Sequence, residues 1–276
     1  MKKITTDFHI HSECSCDSAS LKFDDLIAEE KRCGITDYGI TDHWHSRVQE
    51  ADIAASRKEY DRVTAAHPEL KGHFHFGMEL SVMSEWEIER IAEGKIRPVY
   101  GIRSGGPAGT SPCFDMREET LAEYGVEFVV AGVHWDLYAP RTKEALAADY
   151  MKQSLFAISS PFTDIFAHFC WAMPSRDLGN PFTDFSLFTP AMLSELKGAL
   201  RDCHVAFELN LPGILLSYPE AFVDRYLGFA KELQDGGVLL SLGSDTHEAH
   251  IVPERFEKAE ILFDRYGIDP ERFWKL

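Results

Sequence analysis

Short apolar runs alternate along this chain with longer stretches whose apolar residues recur at helical spacing. Residues 4–11, Tyr38–Thr41, His73–Val82, Phe128–Val133, Asp164–His168, Val205–Asn210 and Val238–Leu242 read as strands. Leu21–Cys33, residues 51–66, Glu85–Glu93, Glu118–Tyr124, residues 143–159, Pro190–Asp202, Glu220–Gln234 and Phe256–Tyr266 read as helices, the first stopped by Gly34 in the usual position after a helix. Strands separated by helices are the signature of βα units around a mostly parallel sheet. No internal repeat, low-complexity segment or linker interrupts the alternation, so residues 1–276 are expected to form a single domain.

The residues at the strand ends are more telling than the strands themselves. His9 and His11 sit two apart on the first, and strand side chains alternate faces, so both imidazoles point the same way. The later strands run into Asp42-His43, Glu79, His134, His168, Glu208 or Asn210, and Asp245-x-His247. In a β/α barrel the carboxyl ends of the strands meet on one rim, where the active site lies. A ring of buried histidines and carboxylates is costly unless its members are paired or bind metal. Imidazole and carboxylate without obligatory thiolate suit Zn, Mn or Fe. More than four ligands implies more than one ion, and the two oxygens of Glu79 could bridge a pair about 3.5–4 Å apart.

Composition narrows the partners. A chain of 276 residues, 45% hydrophobic, can bury a large core but has no apolar run of membrane-spanning length. Met1-Lys-Lys leads straight into the first strand with no signal-peptide core, which points to the cytoplasm. The formal charge of −17 disfavours a nucleic-acid duplex and suits a small substrate held by metals. Six cysteines include no C-x-x-C pair, and Cys14-x-Cys16 is notable only for coming directly after the His-x-His. The glycine- and proline-rich stretch Gly101–Pro112 lacks a Walker lysine and the G-x-G-x-x-G spacing, leaving a flap or a plain connection.

His9-x-His11, Thr-Asp42-His43, Glu79, Gly-Val-His134, Ala-His168 and Ser-Asp245-x-His247 together resemble the motifs of the PHP (polymerase and histidinol phosphatase) family, in the family's order, from residue 7 to about 256. The resemblance implies a distorted seven-stranded, TIM-like (β/α) barrel with up to three divalent ions (Zn, Fe or Mn), acting as a phosphoesterase. One metal would take His9, His11, Glu79 and Asp245. A second would share Glu79 and take His134 and His168. A third would take His43, His247 and Asp17, which stands where many members of the family have histidine. Glu79, Asp245 and His247 are then the catalytic core. Two cations lower the pKa of a water held between them so that it attacks phosphorus in line with the leaving oxygen. Arg176, shortly after His168, and Arg103, in the glycine-rich stretch, are the candidates for gripping phosphate.

The expectation is a metal-dependent phosphatase acting on a small phosphomonoester. The rivals are a phosphodiesterase or nucleotide hydrolase of the same family, an amidohydrolase-type C–N hydrolase, and a catalytically inactive metal-binding regulatory module. Amidohydrolases also open with H-x-H, but usually add a lysine after a middle strand and lack the Thr-Asp-His element.

Overall fold

The computed structural model describes residues 2–95, 105–171 and 181–276. Within them the strands are β1 (Thr6–Ile10), β2 (Asp37–Ile40), β3 (His43–Trp44), β4 (Phe74–Ser81), β5 (Met83–Ser84), β6 (Pro112–Cys113), β7 (Phe128–Gly132), β8 (Ile165–Phe166), β9 (Ala206–Asn210) and β10 (Leu240–Gly243). The helices are α1 (Phe23–Cys33), α2 (Glu50–Ala66), α3 (Glu85–Ala92), α4 (Glu118–Tyr124), α5 (Lys143–Ser159), α6 (Pro190–Cys203), α7 (Glu220–Asp235) and α8 (Pro253–Tyr266).

Seven strands run parallel in the order β1-β2-β4-β7-β8-β9-β10, while β3 resumes the line of β2 by pairing with β4. The sheet nearly closes on itself between its first and last strands. There the Asp245 amide donates to the His9 carbonyl at 2.7 Å and the His11 amide donates to the Thr246 carbonyl at 3.2 Å. The expected α/β barrel of seven strands is therefore the observed one. The pair β5–β6 forms a separate antiparallel ribbon that the sequence pattern does not announce, because two-residue strands are too short to show a period.

Two apolar cores arise from the alternation of strand faces. Outward residues such as Ile40, Phe76, Leu80, Val129, Phe207 and Leu242 pack with helix residues including Leu26, Ile53, Leu146, Leu196, Leu227 and Phe256. Inward residues Phe8, Phe128, Val130, Ile165, Ala167 and Ala206 fill the lower barrel, with Trp274 against them. The Phe128 ring lies so close to β2 and β4 that a Cβ on Gly39 or Gly77 would come within 2.4 or 2.5 Å of it. Glycine at these two positions is a requirement of packing. The interior is thus a filled plug below, and the strand ends above are left to polar side chains.

Helix termini carry the chemistry expected of them. Gly34 ends α1 in the left-handed region at φ 78°, and Thr142 and Thr189 accept amide hydrogens at the starts of α5 and α6. The last helix starts at Pro253, three residues before the expected Phe256, because proline fits the first helical turn without loss of a hydrogen bond.

At the bottom of the barrel, buried His75 lies between two carboxylates: Nδ1 is 3.1 Å from Glu127 and Nε2 3.1 Å from Asp37. Burial opposes its charge, but these two partners outweigh burial and raise the imidazole to about 9. A group raised in the folded state contributes stability that is complete below its unfolded value of roughly 6.5 and is lost as pH rises through the folded value. We therefore expect the urea midpoint of the wild type to fall between pH 6.5 and 9 more steeply than that of His75→Gln. Parallel pH profiles of the two proteins would mean that the imidazolium contributes nothing to stability.

Candidate metal centre

The rim above the plug is lined by residues from the ends of six strands. β4 brings Glu79 to its centre, where neither side chain nor backbone is exposed. Around the Glu79 carboxylate stand two sets of nitrogens. Oε2 is 3.4 Å from His9 Nε2, 3.5 Å from His11 Nε2 and 2.6 Å from His43 Nδ1. Oε1 is 3.2 Å from His134 Nε2 and 3.0 Å from His168 Nε2. Asp245 Oδ1 completes the first set at 3.2 Å from His11 and 3.7 Å from His9, whose Nε2 atoms are themselves 3.2 Å apart. Nearer the surface, Asp17 Oδ2 lies 3.3 Å from His43 Nε2 and touches His247 Nε2.

Several of these separations match the spacing of ligands around a common cation. Four donors held tetrahedrally at about 2.0–2.2 Å from a common centre lie roughly 3.3–3.6 Å apart. Although three imidazole nitrogens surround it, Glu79 Oε2 has no hydrogen-bond partner, nor do buried His43 Nδ1 and Asp17 Oδ1. Some of these donors also pair directly, as His168 Nε2 does with Glu79 Oε1 at 3.0 Å, but the set as a whole surrounds shared points. Three groups are compact enough to hold one ion each: His9, His11 and Glu79; His43, Glu79 and His134; and His11, His43 and His247.

A second layer holds the first in place. Glu208, expected as a possible strand-end ligand, instead accepts from His9 Nδ1 at 2.5 Å and from the His168 backbone amide at 2.6 Å. Asn210 donates to Asp245 Oδ2 at 3.0 Å, and its own oxygen accepts the Gly213 amide at 2.9 Å. Ser81 links His134 Nδ1, at 2.9 Å, to His45 Nδ1, at 2.6 Å. Outer-shell partners of this kind fix the tautomer and angle of a ligand. Gly243 makes room for the first link, since a Cβ there would stand 2.1 Å from Glu208 Oε1. The role of Ser81 was not legible in the sequence; its only signal is the two-residue spacing from Glu79 that puts it on the same face of β4.

The charges balance through protons. Burial works against His9 and His43, but Glu208, Glu79 and Asp245 raise His9 well above its ordinary value, and Glu79 and Asp17 raise His43 to about 10. Burial, with neighbouring imidazoles, pushes His11 down to about 3. Burial, helped by His168 and His43, carries His134 to about 4 against the pull of Glu79. Burial also opposes the charge on Glu79, Asp17 and Asp245, yet the histidines facing these carboxylates hold all three far below their ordinary range. Metal ligands must be deprotonated, so any ion bound here would have to displace the protons on these imidazoles.

All nine residues expected as ligands come together here. Arg103 and Arg176 lie outside the described residues. Arg47 forks onto Asp115, Arg255 pairs with Glu248, and His250 pairs with Glu29 on α1, so none of the three is drawn to the cluster. Burial raises Cys14 and Cys16 to about 11 and 12, and among the described residues neither belongs to a compact group of donors.

The turn after β8 is strained. His168 (φ 31°) and Cys170 (φ 79°) both occupy the left-handed region, at a cost on the order of 1–3 kcal/mol each. The Tyr150 hydroxyl, which accepts the Cys170 amide at 3.0 Å and donates to the Trp171 carbonyl at 3.2 Å, offsets that cost together with the Tyr218 hydroxyl on the Cys170 carbonyl at 2.8 Å. β8 is two residues long where the apolar run suggested five.

Fold and site together define a β/α-barrel hydrolase. The chain belongs to the PHP domain family of phosphoesterases and is an enzyme of that kind; the family model matches residues 7–210. A relative from Escherichia fergusonii, named probable phosphatase YcdX, is 26% identical over 262 residues, covering 93% of this chain and 84% of its own. Among solved structures, the fold is similar to histidinol phosphate phosphatase HisK from Lactococcus lactis, determined with zinc, L-histidinol and phosphate (TM-score 0.65, 18% identity, 100% of this chain and 96% of that one). It is also similar to a putative histidinol phosphatase from Listeria monocytogenes (TM-score 0.58, 13% identity, 89% and 96%).

Replacing Glu208 by Gln leaves only one acceptor for two donors, His9 Nδ1–H and the His168 amide. Loss of an outer-shell partner typically costs about 10–100-fold in metal affinity. Chelator competition on Glu208→Gln should show a loss in that range with the fold intact by circular dichroism; unchanged affinity would reduce Glu208 to packing.

Proposed function

We propose that the protein is a metal-dependent phosphatase that hydrolyses a small phosphomonoester, with residues 1–276 as one catalytic unit. The observation that carries this reading is Glu79, whose two oxygens face two separate groups of imidazoles and so suit a bridge between two ions. His9, His11, Glu79 and Asp245 would hold one ion, Glu79, His134 and His168 a second, and Asp17, His43 and His247 a third. When bound, such ions supply a water of lowered pKa and electrostatic stabilisation of the phosphoryl oxygens. Zinc in the Lactococcus neighbour supports zinc here, with Mn and Fe compatible with the same donors.

The chain's own residues do the positioning. Glu208 and Asn210 orient His9 and Asp245, and burial of Glu79, His9 and His11 keeps bulk water from competing for their donors. His247, the most exposed member, and Asp17 stand on the side open to a substrate. The L-histidinol and phosphate of the same neighbour support a small phosphorylated alcohol as substrate. The net charge of −17 argues against a nucleic-acid duplex. Among the described residues no helix is long and apolar enough to cross a membrane, and six free thiols support a reducing, cytoplasmic setting.

Elemental analysis of protein purified without chelator or metal-affinity resin should find two to three equivalents of Zn, Mn or Fe per chain. Folded protein devoid of metal would overturn the proposal. Adding metal to stripped protein should release protons, seen as a calorimetric heat that varies with the ionisation enthalpy of the buffer.

Glu79→Ala should lower turnover of p-nitrophenyl phosphate by about 10²–10³-fold or more, the loss of one central electrostatic stabiliser. Survival of a genuine esterase in that variant would remove the cluster from catalysis. Faster turnover of bis-p-nitrophenyl phosphate than of the monoester would convert the assignment to a phosphodiesterase.

A further inference from the structure

The other residues of the metal centre stand on strands or shortly after their ends, whereas Asp17 lies in the irregular stretch between β1 and α1. No strand or helix holds it, so hydrogen bonds must. The Ser15 amide donates to the Ser12 carbonyl at 3.0 Å and the Ser18 amide to the Ser15 carbonyl at 3.3 Å, with Ser18 in the left-handed region at φ 65°. At the base of this loop the Glu13 amide donates to the Leu21 carbonyl at 2.9 Å, and the Glu13 carboxylate accepts the Phe23 amide at 3.0 Å. At its far end Ser20 donates to the His247 carbonyl through its amide, at 3.0 Å, and its hydroxyl, at 3.1 Å.

The link to the barrel is Asp42. Its side chain is buried; one oxygen accepts the Ser12 amide at 2.6 Å and the other accepts the Ser12 hydroxyl at 2.6 Å. The same hydroxyl oxygen accepts the Cys14 amide at 3.1 Å. The Asp42 carbonyl in turn accepts the Glu79 amide at 3.2 Å. One buried residue thus joins the loop that carries Asp17 to the strand that carries the central carboxylate, and the next residue in the chain is His43. Hydrogen bonds to an ionised acceptor are roughly twice as strong as neutral ones, and a pair of them fixes direction as well as distance.

We infer that Asp42 is a positioning residue for the third ion: through Ser12 it holds the loop of residues 12–20 so that Asp17 faces His43 and His247, and a chain without this link retains two ions tightly where the intact one retains three. This rests on the three-ion assignment proposed above. Asp17 lies 3.3 Å from His43 Nε2 and touches His247 Nε2, and a shift of the loop by about 1 Å is enough to spoil such a set. The donors assigned to the other two ions are held by their strands and by Glu208, Asn210 and Ser81, none of which depends on this loop.

The test strips full-length protein of metal, reloads it with zinc sulfate and follows, by elemental analysis, the ions surrendered to increasing chelator. Wild type should hold three equivalents. Ser12→Ala and Asp42→Ala should each weaken the third by about 10–100-fold and change the first two by less than about twofold. The double variant should lose no more than the worse of the two single ones, because both act through one link. If Asp42→Ala does not fold, Ser12→Ala decides alone. A link that merely braced the fold would weaken all three ions alike, and that outcome would overturn the proposal. Three equivalents held equally well by wild type and Ser12→Ala would overturn it while leaving the three-ion assignment intact. A wild type that never takes up a third equivalent would overturn both.

Discussion

The structure depends on one buried negative charge. A carboxylate with no exposed surface, such as Glu79, is among the most expensive groups a protein can inter, and no hydrogen bond satisfies its Oε2. Five imidazoles delivered by other parts of the chain face it, and in doing so they draw the ends of β1, β7 and β8 and the two-residue β3 toward one point. The apolar plug below excludes water and so makes the charge costly. The same exclusion strengthens every interaction that compensates it.

This division of the barrel into a dry lower half and a charged upper half determines the make-up of the individual strands. β4 reads His75, Gly77, Glu79, Ser81 along its inward face: an ion-paired histidine at the bottom, a gap for the Phe128 ring, the central carboxylate, and a hydroxyl that tethers two histidines. Each layer of the interior contributes one residue to that face, and the outward face between them is Phe74, Phe76, Met78 and Leu80. A single-residue slip would exchange the two sets, so the register is strongly specified.

Much of this could be read before the structure, and the reasons are physical. Long helices with clear ends, such as Lys143–Ser159, show their period and their caps, and buried parallel strands show as apolar runs. The residues of the cluster were legible because packing alone rarely sets histidines and carboxylates at one strand end after another. Glu208 was visible as a member of that series but not as an outer-shell residue, because which nitrogen of His9 faces it depends on rotamers. The strain at His168 and Cys170, the brief β3, and the tyrosine hydroxyls of Tyr150 and Tyr218 left no trace, since each is set by contacts between segments far apart in the chain.

The place where the barrel closes has a consequence for how the protein is made. The seam lies between β1 and β10, the first and last strands of the sheet, and it is there that His9 and His11 meet Asp245 and His247. His9 and His11 can meet Glu79 once β4 has been made, but Asp245 and His247 reach them only after the intervening strands have followed. Until then the early histidines wait on an open sheet with an unpaired edge. Ions bound at the seam would join the first and last strands like a clasp on a bracelet, so that acquiring metal and closing the barrel would be one event.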